Sequence, residues 1–369
     1  MHAVVGRAGS RDRRKGRKRR MLAPDRKPTI YDIAKLSGAS PSTVSAVLSG
    51  KGNMRRIKQT TVENIRKIAS EQGYAINLQA RGLRQARSRM AGMIIPIHDN
   101  RFFSSLSQSF DLIARERGLC PVIASTLRDP KEEIRIVEML LAYAIDSLFI
   151  VGATDPEALA RLCRTARLPH IFIDLPCSHA PSVVTNNFNG AELLARKILA
   201  GSRPPGGGPR NRPYFIGGSL TDYATARRAA AFRAVAEENG GAIGEDQIIQ
   251  CGYAPRNAAI AIEALCQRLG GLPAGLFVNS ITVFEGVMSY FVNLPAAAFE
   301  NSVIGCFDYD PFAAFLQFPV TMVRQNSNQL IEQAYAMLDE GSQAPRLVEI
   351  EPDLIAPRTI HSNALNNLG

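Results

Sequence analysis

The stretch that most constrains this chain runs from Thr29 to Gly50, TIYDIAKLSGASPSTVSAVLSG. It reads as a helix, a tight turn and a second helix. Thr29 suits an N-cap, because its hydroxyl can accept from a free amide of the first turn. Ile30, Ile33 and Ala34 fall on one helical face. Gly38 suits the stop, since glycine takes a positive φ without Cβ strain. Ser40 before Pro41 is an N-cap followed by proline at the first helical position. Val44, Val47 and Leu48 give the second helix its buried stripe and leave Ser42, Thr43 and Ser45 outside. Two such helices form a helix-turn-helix, whose second helix enters the DNA major groove. A small helical hairpin of another kind would share the glycine and the caps, so further support is needed.

A third helix supplies part of it. Thr60-Thr61-Val62-Glu63 begins as a capping box, Val62, Ile65, Ile68 and Ala69 repeat at helical spacing, and Gly73 is a stop. Charge supplies another part. Residues 1–90 carry 22 Lys and Arg against 5 Asp and Glu, or +17, within a chain whose total is +11. The remainder is therefore −6, and only the basic end has an electrostatic reason to meet phosphates. Lys51, Arg55, Arg56 and Lys58 crowd the loop before the third helix, where phosphate contact would fix register without reading sequence.

Residues 1–27 hold the like-charge block RDRRKGRKRR and read as a disordered basic extension. Two readings stay open: a DNA-contacting arm, or an upstream start, with Met21 opening the protein. From Ala91 the texture changes. Short apolar runs recur at Met93 to Ile97, Pro121 to Ala124, Ser147 to Val151, His170 to Ile173, Tyr214 to Gly217, Leu276 to Val278 and Val303 to Phe307. Amphipathic stretches lie between them, such as Leu106 to Arg117, Lys131 to Ala144, Ala191 to Leu199 and Ala224 to Glu238. That alternation is the pattern of parallel sheets with crossover helices. Gly201 to Pro213 reads as a flexible surface insertion. No apolar run is long enough for a bilayer, and the N-terminus lacks a signal peptide's apolar core, so a cytoplasmic location is expected. Six scattered cysteines form neither a CxxC pair nor a zinc spacing, which favours reduced thiols and no metal or cofactor. No GxSxG, Walker loop or metal-ligand cluster points to an enzyme.

At the level of individual residues, Asp32-Ile33-Ala34, Gly38, Ser40, Thr43-Val44-Ser45, Val47-Leu48, Gly73-Tyr74, Asn77, Ala80-Arg81 and Leu83 resemble the signature of the lactose-repressor family. The resemblance runs from about Pro28 to Arg358. It implies a three-helix helix-turn-helix DNA-binding domain over 28–76 and a hinge helix over 77–88. A two-lobed α/β core like the periplasmic sugar-binding proteins follows over 89–369. It implies a homodimer on palindromic operator DNA and a small-molecule effector. The DNA-facing set would be Thr29, Tyr31, Ser40, Pro41, Ser42, Thr43, Ser45, Ala46, Arg55, Arg56, Asn77, Ala80 and Leu83. Leu83 would wedge into the minor groove, an insertion that unstacks and kinks a base step. Ala46 stands where many members carry an arginine, so a thymine-methyl contact replaces a guanine contact there.

Ligands of open parallel sheets sit beyond the strand C-termini. With the resemblance, that rule selects Asn100 and Phe102 after MIIPI, Asp174 after IFI, Arg228 in TARRAAAF, Ser280 in FVNSITVFEG, Asp308 after VIGCF and Gln325 after VTMVR. Ser280 stands where many members have an asparagine, and Ile281 where they have an aspartate. VLSGKGNMRRI, TVENIRKIASEQGYAIN, FEGVM and DPFAAFLQFPVTMVRQ look similar to the fructose-repressor branch. That implies a sugar or sugar phosphate as effector, the phosphate near Arg228 and either Arg324 or Arg101. A nucleobase or other metabolite is the alternative effector, and a sugar-binding transport protein the alternative function.

Overall fold

The computed structural model describes residues 28–49, 56–74, 88–202 and 208–359. The chain divides into two compact units, 1–84 and 85–369. In the first unit, helices α1 (Ile30–Ser37), α2 (Pro41–Leu48) and α3 (Gln59–Glu71) enclose Ile33, Val44, Val47, Val62 and Ile65. Ile30, Leu48, Ile68 and Tyr74 close the edges of that core. Thr29 and Asp32 make a reciprocal capping box. The Thr29 amide donates to Asp32 Oδ2 at 2.8 Å, and the Asp32 amide donates to Thr29 Oγ1. Gly38 ends α1 at φ 70°, and Ser40 Oγ accepts from the Thr43 amide at 3.2 Å.

The box expected at Thr60 and Glu63 does not form. Lys58 opens α3 instead, its carbonyl accepting from Thr61 and Val62, so Thr60 is already helical. Glu63 takes a hydrogen bond from Gln59 Nε2, the neighbour one turn back.

The second unit holds two six-stranded sheets. The first is ordered β11-β5-β4-β3-β1-β2 and the second β12-β10-β9-β8-β6-β7. Sheet one comprises β1 (Met90–Ile95), β2 (Cys120–Ser125), β3 (Ser147–Val151), β4 (His170–Ile173), β5 (Pro181–Thr185) and β11 (Arg346–Ile350). Helices α4 (Arg101–Glu116), α5 (Pro130–Ala142) and α6 (Pro156–Thr165) connect its first four strands. Sheet two comprises β6 (Pro213–Ile216), β7 (Ile248–Ile249), β8 (Gly275–Val278), β9 (Val303–Phe307), β10 (Val320–Arg324) and β12 (Asp353–Ile355). Its crossovers are α8 (Tyr223–Glu238), α9 (Pro255–Leu269) and α10 (Ile281–Phe291). All pairings are parallel except β10 with β12.

The chain passes between the sheets three times: from β5 through α7 (Asn187–Gly201) to β6, from β10 through α11 (Ser327–Asp339) to β11, and from β11 directly to β12. Each sheet is buried on both faces. Leu194 and Ile198 of α7 join Phe215, Phe277 and Phe307 on one face of sheet two. Leu330 and Ile331 of α11 join Phe103, Phe110 and Phe149 under sheet one. Strands coated on both sides read as continuous apolar runs, which is why β3, β4 and β9 have the ends read from the sequence. Pro96 has no amide to donate, and β1 ends before it rather than at Ile97. Of the Gly201 to Pro213 segment, residues 203–207 lie outside the described residues, and Arg210 Nε donates to the Leu272 carbonyl at 3.0 Å.

No helix among the described residues is long and apolar enough to cross a membrane.

Candidate functional site

In the first unit Thr29, Tyr31, Ser40, Pro41, Ser42, Ser45 and Arg56 are exposed, and Thr43 partly so. Ser42 and Ser45 lie on the side of α2 away from the buried Val44 and Val47. Ser40 Oγ is within 2.8 Å of both Ser42 Oγ and Thr43 Oγ1, so three hydroxyls are gathered at the start of α2. That end also carries the positive pole of the helix dipole. Ala46 is a correction. It is 5 % exposed, and so buried a methyl cannot offer a base the thymine contact expected of it. Arg55, Asn77, Ala80 and Leu83 lie outside the described residues.

In the second unit the strand ends bring together Asp174, Arg228, Asp308 and Gln325. Arg228, on the first half of α8, is 4 % exposed. Its Nε donates to Asn187 Oδ1 at 2.8 Å and its Nη1 to the Asn279 carbonyl at 2.6 Å. Its guanidinium stacks on the Phe307 ring, Cζ lying 3.6 Å from the centroid. Those contacts leave Nη2 for a ligand. Asp308 Oδ2 accepts from the Ile281 amide at 3.1 Å, and Oδ1 accepts from Gln325 Nε2 at 2.6 Å. Gln325 Oε1 in turn accepts from Thr185 Oγ1. Gln325 lies just after β10 and Thr185 ends β5, so a carboxylate at the strand ends is wired to two of the three passages between sheets.

Burial raises the pKa of Asp174 to about 6, against the lowering effects of Arg228 and Arg128. Burial also raises that of Asp308, again opposed by Arg228. Two carboxyls facing one guanidinium can accept hydroxyl hydrogens when ionised. Polar groups this deeply placed lose their water only where partners replace it.

Three expected residues are placed differently. Asn100 and Phe102 do not sit in an open loop. Asn100 Oδ1 accepts from the amides of Phe102 and Phe103 and caps α4, and Phe102 packs into the core of sheet one. Ser280 caps α10 by accepting from the Val283 amide, which occupies its hydroxyl locally. The side chain that reaches the cluster is Asn279, one residue earlier and fully buried. Asn279 Nδ2 donates to Thr225 Oγ1 at 3.0 Å, and its Oδ1 has no partner. The strand-end rule itself points to Asn279, because it directly follows β8. Asn187, Thr185 and Tyr253 carry no such signal in the sequence. Arg324 pairs with Asp353 and Arg101 with Asp310, each at 2.8 Å.

Comparison with known proteins agrees with this architecture. The family model described as "Bacterial regulatory proteins, lacI family" matches residues 29–77. The chain is 48% identical over 177 residues to the ribitol operon repressor of Klebsiella aerogenes, spanning 48% of this chain and 66% of that protein. It is 26% identical over 333 residues to the catabolite repressor/activator of Escherichia coli K12, spanning 88% of this chain and 97% of that one. The Lac repressor dimer bound to operator and the anti-inducer ONPF shares the fold, with a TM-score of 0.74 at 17% identity over 90% of this chain and 99% of that one. Residues 29–77 carry a DNA-binding domain of the lacI family of bacterial regulatory proteins.

Proposed function

We propose that this chain is a ligand-responsive repressor of carbohydrate metabolism, binding palindromic operator DNA as a homodimer and taking a sugar, polyol or sugar phosphate as effector. The observation that carries the reading is the hydrogen-bonded path from Asp308 through Gln325 to Thr185. A hydroxyl-rich ligand held by Asp174, Asp308, Asn279 and the spare Nη2 of Arg228 would bear directly on that path. Effector then alters the orientation of the two lobes and, through the chain that enters β1, the DNA-binding unit. Such coupling requires the effector to bind the two arrangements with different affinity. In the DNA-binding unit, Thr29, Tyr31, Ser40, Pro41, Ser42, Thr43 and Ser45 supply the groove-facing surface, Arg56 contacts phosphate, and Leu83 is the minor-groove wedge.

Likeness to a ribitol operon repressor and to a catabolite repressor/activator sets the ligands to try first. Thermal melting of the full-length protein with ribitol, fructose, sucrose, fructose 1-phosphate and a nucleobase control tests the effector class. A ligand at about 100 times its dissociation constant stabilises the native state by roughly 2.7 kcal/mol, a shift of a few degrees. A shift with a carbohydrate that also changes affinity for a DNA site recovered by selection is the expected result. A shift with the nucleobase alone replaces the effector class, and selected sites lacking two-fold symmetry overturn the dimer on a palindrome.

A further inference from the structure

Among the described residues, Arg228, Arg101 and Arg128 stand at the cleft between the sheets, and they are not equivalent. Arg228 has Nε and Nη1 committed and one face against Phe307. It also sits among Asp174 and Asp308, so the inner end of the cleft is acidic on balance when both carboxyls are ionised. Arg101 is neutralised by Asp310. Among the described residues Arg128 has no carboxylate within ion-pairing distance. Its Cζ lies 5.9 Å from the Phe103 ring centroid of one lobe and 5.6 Å from the Tyr253 centroid of the other.

The position of Arg128 follows from topology. It lies in the loop after β2, and Tyr253 lies in the loop after β7. These are the terminal strands of the two sheets, at the ends opposite β11 and β12, where the chain passes between lobes. Arg128 therefore stands at the mouth of the cleft, across from the hinge. Leu127 and Arg128 both hold left-handed backbone, at φ 54° and 58°. Neither is glycine, and each such residue costs roughly 1 kcal/mol or more, a form of strain that collects at ligand clamps. Tyr253 joins the inner site through its hydroxyl, 2.9 Å from Thr225 Oγ1, the atom that accepts from Asn279. Arg128 also acts on the inner site from outside, opposing the upward shift of Asp174.

We infer that Arg128 binds the anionic end of a phosphorylated polyol or sugar at the cleft mouth, while its hydroxyl end lies inward on Asp174, Asp308 and Asn279. The inference rests on the effector-site reading above and names the ligand's charge and direction. A phosphate beside two carboxylates is repelled; beside an unpaired guanidinium it gains charge-assisted, bidentate hydrogen bonds.

Calorimetric titration of the full-length protein with two matched pairs tests this: ribitol against ribitol 5-phosphate, and fructose against fructose 1-phosphate. In the pair that binds, the phosphorylated member is expected to bind about tenfold or more tightly, as charge-assisted contacts allow. Arg128→Met brings that ratio to about one, and Arg128→Lys, which keeps a point charge without the fork, retains part of it. Equal binding of the two members by the wild-type chain overturns the inference alone, as does a preference that survives Arg128→Met. Absence of binding by all four compounds overturns the effector-site reading beneath it.

Discussion

Asp174 and Asp308 occupy the same place in the two sheets. Each follows the last residue of a strand, β4 or β9, and each turns out of it with left-handed backbone, at φ 73° and 92°. Each donates its amide to the carbonyl of the neighbouring strand, Asp174 to Val183 at 3.2 Å and Asp308 to Val323 at 3.0 Å. The two lobes therefore present their carboxylates by one backbone device, and Arg228 stands electrostatically between them.

That burial makes stability depend on pH in a definite direction. The folded chain holds the Asp174 proton up to about pH 6, whereas the ordinary group has lost it above 3.8. The contribution is fully present below the unfolded value and is lost as pH rises through the folded one. Asp174→Asn cannot ionise and escapes that loss. In urea unfolding of the ligand-free protein, the stability of Asp174→Asn relative to wild type should increase between pH 4 and pH 6.5. A difference that stays constant or shrinks would contradict the burial account.

Arg228 is structural as well as ligand-facing. Arg228→Met leaves Asn187 Oδ1 and the Asn279 carbonyl without their donor and removes the cation that acts on both Asp174 and Asp308. Breaking a buried charge set of this kind costs on the order of 3 kcal/mol. The variant should melt lower than wild type and lose its effector-dependent shift. Arg228→Lys restores charge without the fork, and should recover stability better than it recovers effector response. Full effector response in Arg228→Met would remove this arginine from the site.

Gly286, on α10, marks a close helix crossing. A Cβ there would lie 2.0 Å from the Pro255 carbonyl oxygen and 2.7 Å from Ala258 Cβ. Backbone on α9 cannot give way as a side chain can, so Gly286→Ala should destabilise the second unit by roughly 1–3 kcal/mol. Equilibrium unfolding reads this directly, and wild-type stability in the variant would mean that the helices separate at no cost.

Thr29 holds the start of α1 through its exchange with Asp32. Thr29→Ala removes the hydroxyl acceptor and should lower the opening free energy of that helix by about 1 kcal/mol. Hydrogen exchange of the first-turn amides of α1 measures it. Unchanged protection there would show that the Asp32 carboxylate caps the helix unaided.

Helices α1, α2 and α3 were legible because their signals are local. A cap, a left-handed glycine and an apolar repeat all act within one or two turns, and Thr29, Gly38, Ser40 and Pro41 do what their types favour. The failure at Thr60 has the same origin. Two overlapping local starts compete there, and backbone geometry at Lys58 selects the earlier one. The central strands were legible because burial on both faces demands continuous apolar runs. The edge strand β11, Arg346–Ile350, alternates and carries charge, and it belongs to the first sheet only because the chain returns there after α11.

The candidate site divides along the same line. Asp174, Arg228, Asp308 and Gln325 were found from strand ends and a resemblance, and the fold brings them into one cluster. Asn279 directly follows β8 and was open to the same strand-end rule, whereas Asn187, Thr185, Tyr253 and Arg128 have no spacing to announce them. Their roles come from hydrogen bonds and ring contacts that exist only after two sheets have formed and faced each other. Sequence alone determined the helix caps, the buried strands and the basic end, because those rest on neighbours in the chain. Tertiary structure decided which polar groups meet and which donors are already spent, because desolvation and pairing depend on what the whole fold places beside each atom.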